Sequence, residues 1–249
     1  MEKAERLDSS AEIKEIDRSG MLEVVAEQPR LLQGAFDLSS GVTLPKLKKL
    51  KQIMVVGMGG SAMAGDAAVG LYAKQLPIPI SVVRDYQLPG SVDAGTLIFA
   101  ISYSGDTEET LSAVAEGEKR GAKIIGICSG GKLRELADNQ GYPYFLVPGQ
   151  YQPRAALVNL LTPLLVGLAK LELIGDLSRD IQETVQVLQK LRNDYELIKV
   201  ARNNPAKQLA KKFEGKTPVI LGAVGLTAAA ALRFKTQLNE NSKVTALCN

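Results

Sequence analysis

The stretch Ile53-Met54-Val55-Val56-Gly57-Met58-Gly59-Gly60-Ser61-Ala62 joins a short apolar run to a glycine-rich turn and then to small residues that open a helix. A run with no polar alternation fits a strand buried on both faces. Glycines after such a strand let the backbone turn tightly and approach a ligand, and the N–H groups at the start of the next helix favour an anion. Four further runs follow the same pattern: Ile80 to Arg84, Thr96 to Ile101, Lys123 to Cys128 and Tyr144 to Val147. Between most of them lie stretches with helical spacing, such as Ser61 to Leu76 and Thr107 to Arg120. Strand and helix alternating over about 100 residues imply βαβ units, hence an α/β fold with a doubly wound, five-stranded parallel sheet. Asp85 to Gly95, which contains Pro89-Gly90, is barely long enough for a crossover and predicts a short or irregular helix.

Composition narrows the function. The 249 residues are 45% apolar and 23% charged with mean hydropathy +0.01, enough for a sizeable core and too apolar for whole-chain disorder. Thirty Lys and Arg against 27 Asp and Glu give a formal charge of +3, too near balance for nucleic acid or an anionic membrane to be the partner. Cys128 and Cys248 lie far apart, which argues against a disulfide framework or a Cys-rich zinc site and fits a reducing compartment. The chain has no histidine, so its own residues supply no imidazole base, Ser-His-Asp triad or His-ligated metal. Met1 to Gly20 lacks the apolar core of a signal peptide, so cytoplasmic residence is expected. Ala155 to Ile174 is long and apolar but contains Asn159, Pro163, Lys170 and Glu172, and reads as a buried helix, suited to a subunit interface, in preference to a membrane span.

Beyond these units, Ser178 is placed to cap a connector helix with Ile181, Val185, Leu188 and Leu191 on one face, ended by Asn203-Asn204-Pro205. The pattern then restarts with a strand at Val219 to Ala223, a turn at Gly222 and Gly225, and an Ala-rich helix from Thr227 to Leu238. One strand and one helix cannot cover their own apolar faces, so either this unit docks on the first domain or, the preferred reading, a second α/β domain continues beyond Asn249.

The third strand leads into Ser102-Tyr103-Ser104-Gly105-Asp106-Thr107-Glu108-Glu109. Hydroxyls around a helix N-terminus make a phosphate cradle that needs no Lys or Arg, although an ordinary Ser/Thr cap accounts for the same letters. Position separates the two readings. In a sheet of order 2-1-3-4-5, ligands bind outside the carboxyl ends of strands 1 and 3, where both this loop and Ser61 fall. Gly57, Gly59 and Ala62 also satisfy the dinucleotide fingerprint, with Arg84 and Asp85 closing the second strand, but a dinucleotide site needs no second hydroxyl loop. A phosphorylated small molecule therefore ranks above a nicotinamide cofactor. Gly126 to Leu133 has P-loop spacing, yet Leu133 stands where a magnesium-binding hydroxyl is required. Pro153-Arg154 brings a guanidinium to the same end of the sheet, for phosphate, for an oxyanion or for an interface salt bridge. The polar run from Arg233 to Lys243 reads by itself as a solvated helix end.

Together, Gly-Met-Gly-Gly-Ser-Ala at 57–62, Ser-Tyr-Ser-Gly-Asp-Thr-Glu-Glu-Thr at 102–110, Ser-Gly-Gly-Lys-Leu at 129–133, Gln-Pro-Arg-Ala-Ala-Leu at 152–157 and Gln-Leu-Asn-Glu-Asn-Ser-Lys at 237–243 resemble the bifunctional phosphoglucose/phosphomannose isomerases of the sugar isomerase (SIS) superfamily. The resemblance implies an N-terminal helical segment over 1–50, a first SIS domain over 51–176, a connector over 177–205 and an incomplete second SIS domain over 206–249. It implies a homodimer acting on a phosphorylated hexose, with no cofactor and no metal. The phosphate would be held by Ser61, Ser102, Ser104 and Thr107 beside Gly59 and Gly60, with Arg154 at the reacting end of the sugar. Glu240 would move a proton between C2 and C1 through a cis-enediol, interconverting glucose 6-phosphate or mannose 6-phosphate with fructose 6-phosphate. Two departures stand out. Asp106 replaces a frequent Asn, and the family's ring-opening His and late Lys lie beyond Asn249, so the chain as written is expected to be inactive. The alternative is a SIS module that binds a sugar phosphate without catalysis, but residues 1–50 show no basic helix-turn-helix of the kind such a regulator carries.

Overall fold

In the computed structural model, which describes residues 6–249, the apolar runs form a five-stranded parallel sheet of order β2-β1-β3-β4-β5. The strands are β1 (Gln52–Val56), β2 (Ile80–Val83), β3 (Thr96–Ser102), β4 (Lys123–Cys128) and β5 (Tyr144–Leu146). Val56 lies opposite Val83 on one side and Ala100 on the other, which fixes the register of the three strands around the site. β3 is buried along its whole length, whereas β2 and β5 expose part of theirs. Burial on both faces thus holds for the centre of the sheet and fails at its edges, where the helical layers taper.

Alternation along β1 divides the core. Ile53 and Val55 join Phe99, Ile125 and Phe145 on one face, under α3 (Gln28–Ser40), α4 (Gly59–Tyr72) and α7 (Leu157–Lys170). Met54 and Val56 join Ile98 and Ala100 on the other, under α5 (Glu108–Lys119) and α6 (Gly131–Gln140). The doubly wound arrangement follows from strands that are apolar on both faces. α7, read above as suited to a subunit interface, is covered by the chain itself: Leu160, Leu164 and Leu168 are fully buried. Among the described residues no helix is long and apolar enough to cross a membrane.

Three local readings are corrected. Asp85 to Gly95 contains turns and no helix; its Leu88 and Val92 are buried, and the Leu88 N–H donates to Glu116 Oε2 at 2.7 Å, so the crossover is anchored by its side chains. Ser178 is the first residue of α8 (Ser178–Asp194), not its cap, and both its N–H and its hydroxyl donate to Asp176. Asn204 does not end that helix but caps the next, α9 (Pro205–Phe213), accepting from the N–H groups of Ala206 and Lys207, with Pro205 in the first helical position.

Upstream, α1 (Ser10–Ile16) and α2 (Met21–Ala26) precede α3; the first five residues of the N-terminal helical segment lie outside the described residues. Downstream, β6 (Val219–Ile220) and β7 (Leu247–Cys248) pair in parallel around α10 (Leu226–Asn241), which packs against α4. β6 is shorter than the predicted Val219 to Ala223 because the chain turns back onto its helix: the Ala223 N–H donates to Thr227 Oγ1 at 2.9 Å.

Candidate active site

Helix α4 starts without a side-chain cap immediately after β1, and α5 starts without one shortly after β3. Thr107 occupies the cap position of α5, but its Oγ1 lies 2.8 Å from Ser102 Oγ and bonds no backbone N–H of that helix. The ordinary-cap reading of this loop therefore fails, and the first-turn N–H groups of two helices converge on one end of the sheet. Such groups, with the positive end of each helix dipole, suit an anion.

Ser61 Oγ accepts the Tyr103 N–H at 3.3 Å, which joins the glycine turn to the hydroxyl loop. Ser102 Oγ accepts from the N–H groups of Gly105 and Thr107, and Ser104 Oγ accepts from Asp106. A hydroxyl that accepts from a backbone amide keeps its own hydrogen to donate to an incoming oxygen, save that one of the Ser102 and Thr107 hydroxyls spends its hydrogen on the bond between them. Ser61 and Ser102 are buried, whereas Ser104 is exposed and Thr107 half-buried, so the four form a graded wall from core to solvent. Gly59, Gly60, Ser61, Ser102, Ser104 and Thr107 thus sit together at the carboxyl ends of β1 and β3.

The negative charge of Asp106 is directed elsewhere. Its Oδ1 accepts the Lys132 N–H in the first turn of α6 at 3.1 Å, where a helix dipole favours an anion. Leu133, the residue that spoils the P-loop spacing, is buried in the core under β4. At the end of β2, Arg84 pairs with Asp66 of α4, and Asp85 Oδ1 accepts the N–H of Gln87 within its own turn. Among the described residues no cluster of His, Cys, Asp and Glu is able to hold a metal ion.

The sequence reading passed over Tyr103. Its hydroxyl donates to the Pro148 carbonyl at 2.8 Å and accepts the Tyr151 N–H at 2.9 Å, while its own carbonyl accepts from the amide and hydroxyl of Ser129. Burial raises the phenol's pKa, so it stays a neutral donor. Tyr103 braces the chain leading to Arg154, and Tyr103→Phe should cost about 1 to 3 kcal/mol in urea denaturation by leaving the half-buried Pro148 carbonyl and Tyr151 N–H unsatisfied. An unchanged midpoint would show the brace to be idle.

Arg154 lies in a 3₁₀ turn, Pro153–Ala155, that passes directly over Gly60. A Cβ on Gly60 would come within 3.2 Å of the Pro153 carbonyl oxygen, so glycine permits this approach. Arg154 Nε donates to Asn241 Oδ1 at 2.7 Å, and its carbonyl accepts from Gln237 Nε2 at 2.9 Å and from the Arg233 guanidinium. Glu240 is exposed beside them on α10, close enough to Arg233 to oppose the lowering of that guanidinium's pKa by burial. The fold therefore brings Arg154 to the hydroxyl cradle and the helix bearing Glu240 to Arg154. The roles of Gln237 and Asn241 were hidden by their distance in sequence, although their four-residue spacing on one helix face was visible.

Residues 46–140 match the SIS domain family, and residues 202–249 match the bacterial phospho-glucose isomerase C-terminal SIS domain family. The bifunctional phosphoglucose/phosphomannose isomerase of Caldicellulosiruptor bescii is 41% identical over 92% of this chain and 68% of its own length. The protein of that description from Thermoplasma acidophilum is 36% identical over 79% of this chain and 57% of its own length, so this chain spans roughly three fifths of such relatives. Among solved structures, the C-terminal domain of glucosamine-fructose-6-phosphate aminotransferase from Francisella tularensis superposes with a TM-score of 0.65 at 24% identity, covering 92% of this chain and 69% of that one.

Proposed function

The chain belongs to the bifunctional phosphoglucose/phosphomannose isomerase family, and from that premise we propose that it serves aldose–ketose isomerisation of glucose 6-phosphate or mannose 6-phosphate to fructose 6-phosphate. The observation that carries this reading is the convergence of Ser61, Ser102, Ser104 and Thr107 outside β1 and β3, with Arg154 held above Gly60. The hydroxyls and uncapped helix N-termini would take the dianionic phosphate. The sugar would then extend toward Arg154 and α10.

Glu240 acts in this proposal as the base that removes the proton beside the carbonyl and returns it to the neighbouring carbon. The electron pair released passes to the carbonyl oxygen, where the Arg154 fork stabilises the developing enediolate; a proton shift from O2 to O1 then lets the C2 carbonyl form as the proton held by Glu240 is delivered to C1. Its planar, always-charged donors suit an oxyanion better than a lysine would. These residues account for proton transfer; the chain contains no imidazole to assist ring opening. Residues 206–249 are assigned to a second SIS domain on the strength of the β6-α10-β7 unit. Cytoplasmic residence agrees with two unpaired cysteines, and homodimer formation rests on the family.

Calorimetry tests the phosphate cradle directly. Glucose 6-phosphate should bind and glucose should not, and Ser104→Ala or Thr107→Ala should each weaken binding by about 0.5 to 1.5 kcal/mol, the usual net worth of a hydrogen bond. Equal affinity for glucose and its 6-phosphate would remove the basis of the assignment. Binding without turnover by the full-length protein would favour a sugar-phosphate sensor.

A further inference from the structure

We infer that Gln237 and Asn241 are positioning residues for Arg154, so that helix α10 aims the guanidinium which the sheet domain supplies. The inference rests on the isomerase reading above and extends it from the groups that touch substrate to those that orient them.

The donor and acceptor logic permits one arrangement. Arginine's side chain only donates, so Asn241 must present its oxygen to Arg154 Nε, which it does at 2.7 Å. The Asn241 amide nitrogen is then turned toward Gln237, whose Oε1 accepts it at 2.5 Å. Gln237 is left with its nitrogen facing the Arg154 carbonyl, to which it donates at 2.9 Å. Arg233, one turn earlier on the same face, donates to that carbonyl as well. A closed ring of hydrogen bonds thus grips Arg154 by its backbone and by its guanidinium together.

The grip spares the working edge. Nε is occupied, but among the described residues the two Nη groups of Arg154 donate to no protein acceptor. That outer edge of the fork is the one suited to a pair of oxygens or to an enediolate. If the contacts only docked α10, they would have no need to reach the guanidinium; Arg233 and Gln237 on the carbonyl would suffice.

Steady-state kinetics of the full-length enzyme test this. Asn241→Ala and Gln237→Glu should each lower kcat by about 10- to 100-fold, the scale of a misplaced catalytic group, with KM changed by less than about 3-fold. In an Arg154→Ala background the same substitutions should lower kcat no further. Asn241→Asp, which keeps an acceptor for Nε, should recover part of the loss even if the melting temperatures of the two Asn241 variants coincide. A turnover-independent readout is the calorimetric affinity of an aldonic acid phosphate whose carboxylate imitates the enediolate. It should fall about as far as kcat, while affinity for inorganic phosphate holds. Multiplicative losses in the Arg154→Ala background, or losses in KM alone, would overturn the inference while leaving the isomerase reading intact. A wild-type enzyme without isomerase activity would overturn that reading, and the inference with it.

Discussion

Gly105→Ala should destabilise the chain by about 2 to 5 kcal/mol, the sum expected for a side chain in the left-handed region and for overpacking against rigid backbone. Gly105 has φ +87°, and a Cβ there would stand 1.8 Å from the Gly130 carbonyl oxygen and 2.7 Å from its carbon. No rotamer change relieves a clash with main chain, so the hydroxyl loop or the loop after β4 must move. Movement would break the bond from the Leu133 N–H to the Gly105 carbonyl and the one from Lys132 to Asp106. Urea denaturation measures the loss, with Gly90→Ala, which meets nothing within 4 Å, as a control expected to stay near the wild-type midpoint. A Gly105→Ala protein within 1 kcal/mol of wild type, by the order of effect such contacts have, would mean that the two loops are not pressed together.

Glu240→Gln in the full-length enzyme should lower kcat by about 10² to 10⁴, the usual contribution of a positioned general base. The amide keeps the shape of the side chain and removes its capacity to accept a proton. Affinity for glucose 6-phosphate should hold, because the hydroxyls proposed to take the phosphate lie on other elements, after β1 and β3. Isomerisation in deuterated water provides a second reading: exchange of the proton carried between C1 and C2 should slow with turnover. Exchange at the wild-type rate would place the base elsewhere and leave Glu240 as an exposed residue of α10.

What the sequence disclosed follows from where each residue's partners lie. The runs around Val55, Phe99 and Ile125 are apolar on both faces, and only a central parallel strand satisfies that, so the sheet and its two helical layers were readable. The runs Ile80 to Arg84 and Tyr144 to Val147 each overshoot the observed strand by one residue: Arg84 turns to pair with Asp66 of α4, and Val147 stays buried beyond the end of β5. Asp85 to Gly95 was assigned a helix because crossovers usually contain one; Leu88 and Val92 instead anchor an irregular path. The meeting of Ser61 with the loop Ser102 to Thr107 was legible because both follow strands whose order fixes a switch point. Tyr103 and Gln237 were not, because a tyrosine in a serine loop and a glutamine on a polar helix end show nothing until the chain folds back. The charge on Asp106 looked unfavourable for phosphate binding for the same reason: its partner, the Lys132 amide, is 26 residues away.

The bond between Arg154 and Asn241 spans 87 residues. A ribosome adding roughly 5 to 20 residues per second needs on the order of 4 to 17 s to cover that interval, while N-terminal domains generally fold first. During those seconds the nascent protein carries its hydroxyl cradle with an arginine that nothing yet aims. On the proposed reading the site is therefore assembled in stages: the hydroxyl loop proposed to take the phosphate arrives with the sheet, and the hydrogen bonds proposed to aim Arg154 form only when α10 emerges.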